Sequence, residues 1–265
     1  MSNLAYVTLA QDLIEDLADA SISAVNEDAD YPIANLKTQP MADTARVSGG
    51  AEKIRFDLGA NTRVRFWAYL NHNIASGDWT IKTYNDLFIT PSGESRDVVY
   101  RALDTKSYHK SWTSKRYWEH DFSACTFNDA YLEVGKIVAA LDPVFFTANY
   151  SPGFGRGIGY ESIQNKTEFG VVWTYIKQGP INKVRVKFDP EIVRIIRDEL
   201  ETFFNAVCGR GYPCIIIPDN SGSAEVYYMR SKLDKMDWEE FYNRAVMYGL
   251  RLDFEEESRG QTQTA

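Results

Sequence analysis

From Ala18 to Leu141 the chain alternates apolar and polar residues over short runs, with turn-forming residues between the runs. A period of two places successive side chains on opposite faces of an extended strand, so each run buries one face and wets the other. The clearest run is Lys53-Ile54-Arg55-Phe56-Asp57-Leu58, ended by Gly59. Ala20 to Val25 reads as a strand before it, and Asn26 to Tyr31 as an acidic turn. Val64, Phe66, Ala68 and Leu70 alternate after the Asn61-Thr62 turn, as do Trp79, Ile81 and Thr83 after Ser76-Gly77-Asp78. Ser92-Gly93-Glu94 reads as a further turn. Arg116 to Phe122 places Tyr117, Glu119 and Asp121 on one side and Trp118, His120 and Phe122 on the other. Ala130 to Leu141 is a longer strand with Gly135 inside it, ended by Asp142-Pro143. Many short strands with regular turn signals predict an antiparallel sandwich or barrel.

The pattern changes at Asn149 to Gly159, a glycine-rich stretch with Pro152, which predicts a division into residues 1–148 and 149–265. The stretch lacks the Gly-Lys-Ser/Thr ending of a phosphate-cradling loop, and no helix is predicted after it. Phe169 to Ile176 and Val184 to Phe188 read as strands. A helix is predicted from Pro190 to Cys208, with Asp189 placed to cap it, Pro190 in the first turn and Gly209 as its stop. Pro213 to Pro218 reads as a short buried strand. Ala224 to Arg230, Met236 to Tyr242 and Ala245 to Phe254 read as the closing strands. One amphipathic helix against an antiparallel sheet gives an α+β second region.

A net charge of -8 argues against a phosphate backbone as partner. The basic-aromatic stretch Lys106 to Arg116 is too short to reverse that and reads as a solvated loop or strand edge. Three cysteines, Cys125, Cys208 and Cys214, do not make a disulfide framework; Cys208 and Cys214 read as small core residues. That usage suits folding in a reducing compartment. The first twenty residues carry no signal-peptide pattern, and no run reaches the ~18 apolar residues of a membrane span.

Catalytic and metal-binding patterns are not apparent. His72 sits between asparagines in a turn that its hydrogen bonds would fix. His120 follows Glu119 on one strand, so the two point to opposite faces. No His-x-His, Cys-x-x-Cys or Gly-x-Ser-x-Gly pattern occurs, and Cys125 has no histidine near it in sequence. Asp57, Glu119 and Glu133 lie on predicted strands as carboxylates for a glycosidase, without spacing that would pair them in a cleft. No cofactor, metal or catalytic residue is therefore expected.

A family resemblance enters on several segments in order. Asp19 to Ala24, followed by Tyr31-Pro32-Ile33-Ala34-Asn35-Leu36, is similar to the opening of the galactose-binding-like (discoidin-type) jelly-roll domains of phage tail proteins. Ile54 to Gly59, Leu70 to Gly77, Arg116-Tyr117-Trp118 and Tyr131 to Ile137 resemble further segments of that family. Cys208 to Pro213, Pro218-Asp219 and Glu255 to Arg259 resemble the C-terminal portion of the same proteins. The resemblance implies a jelly-roll sandwich followed by an α+β tail-assembly region. It implies a tail-tip or baseplate component of a virion, made in a host cytoplasm and forming a homo-oligomeric ring against hub, tube or tape-measure neighbours. It places ligands at the sandwich loops, where Trp79, Tyr84, Tyr108 and Trp112 are candidates for stacking on a host glycan or packing on a protein. For Trp79 the alternation favours an inward, core position, and Trp112, flanked by serines and lysine, is read as readily as core as it is as surface. Some relatives of this fold bind calcium, but the chain has no Asp-x-Asp-x-Asp loop. The rival reading is a carbohydrate-binding module without catalysis. Neither reading requires nucleic acid or a membrane span.

Overall fold

The computed structural model describes residues 4–15, 17–18, 21–37, 43–48, 52–101, 104–150, 155–166, 172–208, 211–218, 224–232 and 250–256. The chain is mainly β and divides into two compact units, Met1–Phe145 with Ile215–Tyr228, and Phe146–Cys214 with Met229–Ala265. In chain order the first stretch holds β1 (Ala5–Thr8), β2 (Ile22–Ala24), β3 (Ala45–Ser48), β4 (Lys53–Thr62), β5 (Phe66–His72), β6 (Ile74–Ser76) and β7 (Trp79–Tyr84). β8 (Pro91–Val98), β9 (Thr105–Tyr108), β10 (Lys115–Asp121), β11 (Thr126–Phe127), β12 (Tyr131–Ala140) and β13 (Val144–Phe145) follow. After them come β14 (Gly155–Lys166), β15 (Val172–Phe188), α1 (Pro190–Ile195), α2 (Arg197–Ala206), β16 (Pro213–Ile217), β17 (Ala224–Glu225), β18 (Tyr227–Ser231) and β19 (Leu250–Glu256).

The first unit is an antiparallel sandwich. One sheet runs β2-β4-β10-β7-β8 and the other β17-β9-β5-β12-β3, with a small β11-β6 pair beside them. The alternation in the sequence sets the register. Trp118 lies opposite Phe56 and Thr83, and His120 opposite Ile54 and Ile81, so the inward residues of three strands meet. Phe56, Trp67, Tyr69, Trp79, Trp118 and Ile137 share the core between the sheets. Phe66, Ala68, Leu70, Val138 and Ala140 occupy the other face of the second sheet, in a second core with Ala5, Val7, Ile215, Ile217 and Tyr228. β5 is therefore buried on both faces. Alternation at Phe66, Ala68 and Leu70 reported only one of those faces, because Trp67 and Tyr69 between them are apolar too; Val64, ahead of the strand, joins the core between the sheets instead.

Three local expectations are corrected. Lys106 to Tyr108 is not a solvated edge: β9 is buried throughout, paired with β5 on one side and β17 on the other. Ser92-Gly93-Glu94 is not the hairpin turn; it lies inside β8, and residues 85–90 connect β7 to β8. Gly93 at φ 83 and a register shift between Lys82 and Tyr84 absorb the turn-like sequence within the strand. Cys208 is exposed, at φ 49, where the chain leaves α2 and turns away from the helical face. Cys214 is buried as expected.

In the second unit β14 pairs β15, β15 pairs β19, and β19 pairs residues 229–231 of β18. β15 is one strand through Gly179-Pro180, where the sequence suggested a break. Two register shifts against β14, at residues 159–162, accommodate the proline, as strand prolines require. The predicted helix is two, divided at Ile196, whose φ of -103 and ψ of 19 leave the helical range. Asp189 holds the N-cap position without a side-chain capping bond. Val193, Ile196, Leu200, Phe203 and Val207 are buried, and Phe203 meets Phe146 and Phe254 edge-on at 6.2 and 6.1 Å. That is a helix on an antiparallel sheet. The strand reading of Met236 to Tyr242, the start of the one from Ala245, and Gly209 lie outside the described residues.

Candidate functional site

The four aromatics singled out in the sequence do not share a surface. Trp79 is 1% exposed, stacked on Phe122 at 5.4 Å and edge-on to Tyr69 at 4.8 Å. Trp112 is 2% exposed and packs edge-on to Trp118 at 5.1 Å, with the Arg96 guanidinium 5.3 Å from its ring. Tyr108 belongs to the second core, 5.7 Å from Phe145. Tyr84 alone reaches the outer face of the β2-β4-β10-β7-β8 sheet, half-buried. Trp79, Tyr108 and Trp112 are packing residues in this structure and present no open ring face.

Tyr84 stands in a charged lattice that the strand register dictates. Glu119 on β10 lies opposite Arg55 on β4 and Lys82 on β7. Its carboxylate accepts from Arg55 Nε at 2.7 Å and Tyr84 Oη at 2.9 Å, with Lys53 Nζ at 3.6 Å. Asp121 accepts from Lys82 at 2.7 Å and faces Lys53 at 3.2 Å. Arg116 grips Asp57 through both oxygens, at 2.5 and 2.8 Å. That bidentate bond holds the Asp57 carboxyl below its ordinary range. Burial would raise Asp121, but hydrogen bonds from Lys82 and Ser123 outweigh it and keep the carboxyl well below the usual value. Burial, together with the Glu119 carboxylate, pushes Tyr84 up to about 12. Glu133, on the other sheet, is closed by Arg46 at 2.9 Å. The three strand carboxylates noted in the sequence are each held by an arginine, and none faces another across a cleft.

The loop above this lattice was not legible as a site. Asn85 to Thr90 connects β7 to β8 and carries Leu87-Phe88-Ile89 at its tip. Asp86 fixes the loop by accepting from Ile89 N, Thr90 N and Thr90 Oγ1 at 3.2, 2.6 and 2.8 Å. Phe88 has φ 57, the left-handed region that a bulky side chain rarely adopts. Its ring lies 5.7 Å from Tyr84, 5.4 Å from Tyr117 and 5.2 Å from the Arg55 guanidinium. Leu87 and Ile89 are 62% and 78% exposed. Lys115 donates to Asn85 Oδ1 at 2.8 Å beside this step, and Arg116 lies 5.0 Å from the Tyr117 ring. The available signal was a Leu-Phe-Ile run where a hairpin connection is normally polar.

His120 and Cys125 are structural in setting. His120 is fully buried 4.3 Å from Trp67 and 5.0 Å from Phe56, with Nδ1 3.2 Å from Tyr69 Oη. Desolvation pushes its pKa down to about 3, so the ring is neutral. Asn73 ties the β5–β6 turn: its Oδ1 accepts from Glu133 N at 2.8 Å and its Nδ2 donates to Tyr131 O at 2.9 Å. The Cys125 thiol points at Gly77 O, and burial with nearby Asp78, Asp121 and Glu52 raises it to about 12, far from a reactive thiolate. Among the described residues no group of three His, Cys, Asp or Glu is placed to hold a metal. No helix there is long and apolar enough to cross a membrane.

No family model matches the chain, and no curated protein matches it. Among solved structures it is similar to the family 32 carbohydrate-binding module of NanJ from C. perfringens in complex with galactose. That alignment has 11% identity and TM-score 0.38, over 51% of this chain and 98% of that one. The lectin domain of lectinolysin complexed with Lewis B antigen aligns at 9% identity and TM-score 0.41, over 51% and 99%. Chitosan-binding module 1 of a chitosanase/glucanase from Paenibacillus sp. IK-5 aligns at 13% and 0.39, over 48% and 97%. At these identities and TM-scores the likeness carries no functional assignment.

Proposed function

We propose that the chain is a non-catalytic binding protein whose first unit takes a carbohydrate on the step formed by Tyr84, Phe88 and Tyr117. The observation that carries this reading is Phe88, held at φ 57 so that its ring lies against both tyrosines on a rigid sheet face. A sugar ring offers one apolar C–H face and an edge of hydroxyls. Aromatic rings suit the first, and the Arg116–Asp57 and Lys115–Asn85 pairs beside them suit the second. The test is binding of the full chain to a glycan panel that includes galactose, Lewis B antigen and chitosan oligomers. Binding should weaken at least tenfold in Phe88→Ala and Tyr117→Ala. No bound glycan, or one indifferent to both changes, defeats the reading.

A second reading has its own observation. Leu87 and Ile89 are aliphatic and exposed, which suits burial against protein better than contact with sugar. It makes the chain a structural subunit of a phage tail tip or baseplate, assembled as a symmetric ring with other tail proteins in the virion. Sedimentation decides it: a concentration-dependent oligomer that Leu87→Lys with Ile89→Lys dissolves supports it, and a monomer at every concentration refutes the homo-oligomeric ring.

A further inference from the structure

The second unit carries a basic cleft that the reading of the first unit does not use. Along β15, Lys183, Arg185 and Lys187 are exposed and alternate with buried Val184, Val186 and Phe188. Opposite Arg185 and Lys183 on β14 stand Gly155 and Gly157. Glycine leaves that row without side chains, and a Cβ at Gly157 would meet nothing within 4 Å. The result is a cleft of about 400 Å³ with a backbone floor, lined by Arg156, Lys183, Arg185, Lys232 and Asp253. Among the described residues four cations and one carboxylate line it, in a chain of net charge -8. Asp253 is shared by Arg185 and Arg251, both at 2.8 Å, and Glu255 by Lys183 at 3.8 Å and by Lys232. Each carboxylate thus answers two cations, and cations outnumber carboxylates among the described residues that line the cleft.

We propose that this cleft binds an acidic saccharide through its sulfate or carboxylate groups. Lys183 and Arg185 lie two residues apart on a strand, about 7 Å, which spaces two anionic groups along an extended chain. The cleft is of a size that takes a small ligand, a few hundred Å³. Phe254, the aromatic among its described lining residues, is 2% exposed, so among the described residues nucleic-acid bases find no ring to stack on there.

The experiment is calorimetric titration of the full chain with a sulfated oligosaccharide, its desulfated counterpart, single-stranded oligothymidylate and inorganic sulfate. Arg185→Gln removes charge, Gly157→Leu fills the cleft, and Lys110→Gln in an exposed turn of the first unit controls for charge alone. Circular dichroism verifies the fold of each variant. The sulfated oligosaccharide should bind, at least tenfold more tightly than the desulfated one. Arg185→Gln and Gly157→Leu should each weaken it at least tenfold, with no change in Lys110→Gln, and rising salt should weaken it by screening. Equal binding of both oligosaccharides, indifference to both cleft variants, tighter oligothymidylate binding, or sulfate binding as tightly as the oligosaccharide would overturn the proposal. Failure leaves the reading of the first unit standing, since that rests on other residues and a panel of its own.

Discussion

His120 gives a prediction in which magnitude and direction both follow from the core. Its ring is enclosed by Phe56, Trp67 and Tyr69, and its Nε2 has no hydrogen-bond partner among the described residues. Protonation would bury a charge and an unanswered N–H together, so the folded pKa falls from 6.5 to about 3. The unfolded chain still protonates near 6.5. The folded state is therefore unpenalised above that value, and stability declines as pH falls from 6.5 towards 3. Between pH 7 and pH 5 the linkage amounts to about 2 kcal/mol, because the free histidine is then almost fully protonated and the buried one is not. Urea unfolding followed by tryptophan fluorescence reports on this core directly, since Trp67 and Trp118 lie in it. The wild type should lose about 2 kcal/mol more than His120→Phe over that interval. Equal losses would refute the account of His120 as a buried neutral base.

Three further predictions rest on packing. Trp112→Ala should lower stability by about 3–5 kcal/mol, as a core aromatic does, and leave affinity for any bound glycan within twofold; melting and titration of one preparation check both. Lys136 is fully buried with Asp12 at 3.3 Å, and the Asp12 carboxylate also accepts from Ile14 N and Ala139 N. Lys136→Met should destabilise the chain by about 3–5 kcal/mol in thermal melts, because it strands a buried carboxylate. Gly77 stands at φ 93, where a Cβ would come within 2.6 Å of Ala124 O, so Gly77→Ala should lower stability by more than about 1 kcal/mol in urea, whereas Gly59→Ala, with open space around it, should lower it less.

The sandwich was legible because its signal is local: alternation at Ile54 and Phe56 names the inward face, and Trp118 and His120 answer from across the ladder. Burial on both faces was not. Phe66, Ala68 and Leu70 alternate whether or not Ile215 and Ile217 cover them, and a buried strand in the sequence does not name what it packs against. The same limit applies to the choice of site. Trp79 and Trp112 stood out as aromatics beside turns, yet large rings near turns serve to close a core as readily as to open a platform. Tyr84 reached the surface because its parity on β7 matches Lys82, and that parity was readable. Phe88 was not, since a left-handed φ at a bulky residue leaves no trace in composition or periodicity.

The binding step itself is tested most directly by methyl NMR of the full chain, titrated with the tightest ligand from the glycan panel. Leu87 and Ile89 report on the loop that carries Phe88, and Ile81 and Val98 report on the core beneath the same sheet. The account predicts saturable shifts at Leu87 and Ile89 with Ile81 and Val98 still. Shifts confined to other loops, with Leu87 and Ile89 unmoved at saturation, would contradict it.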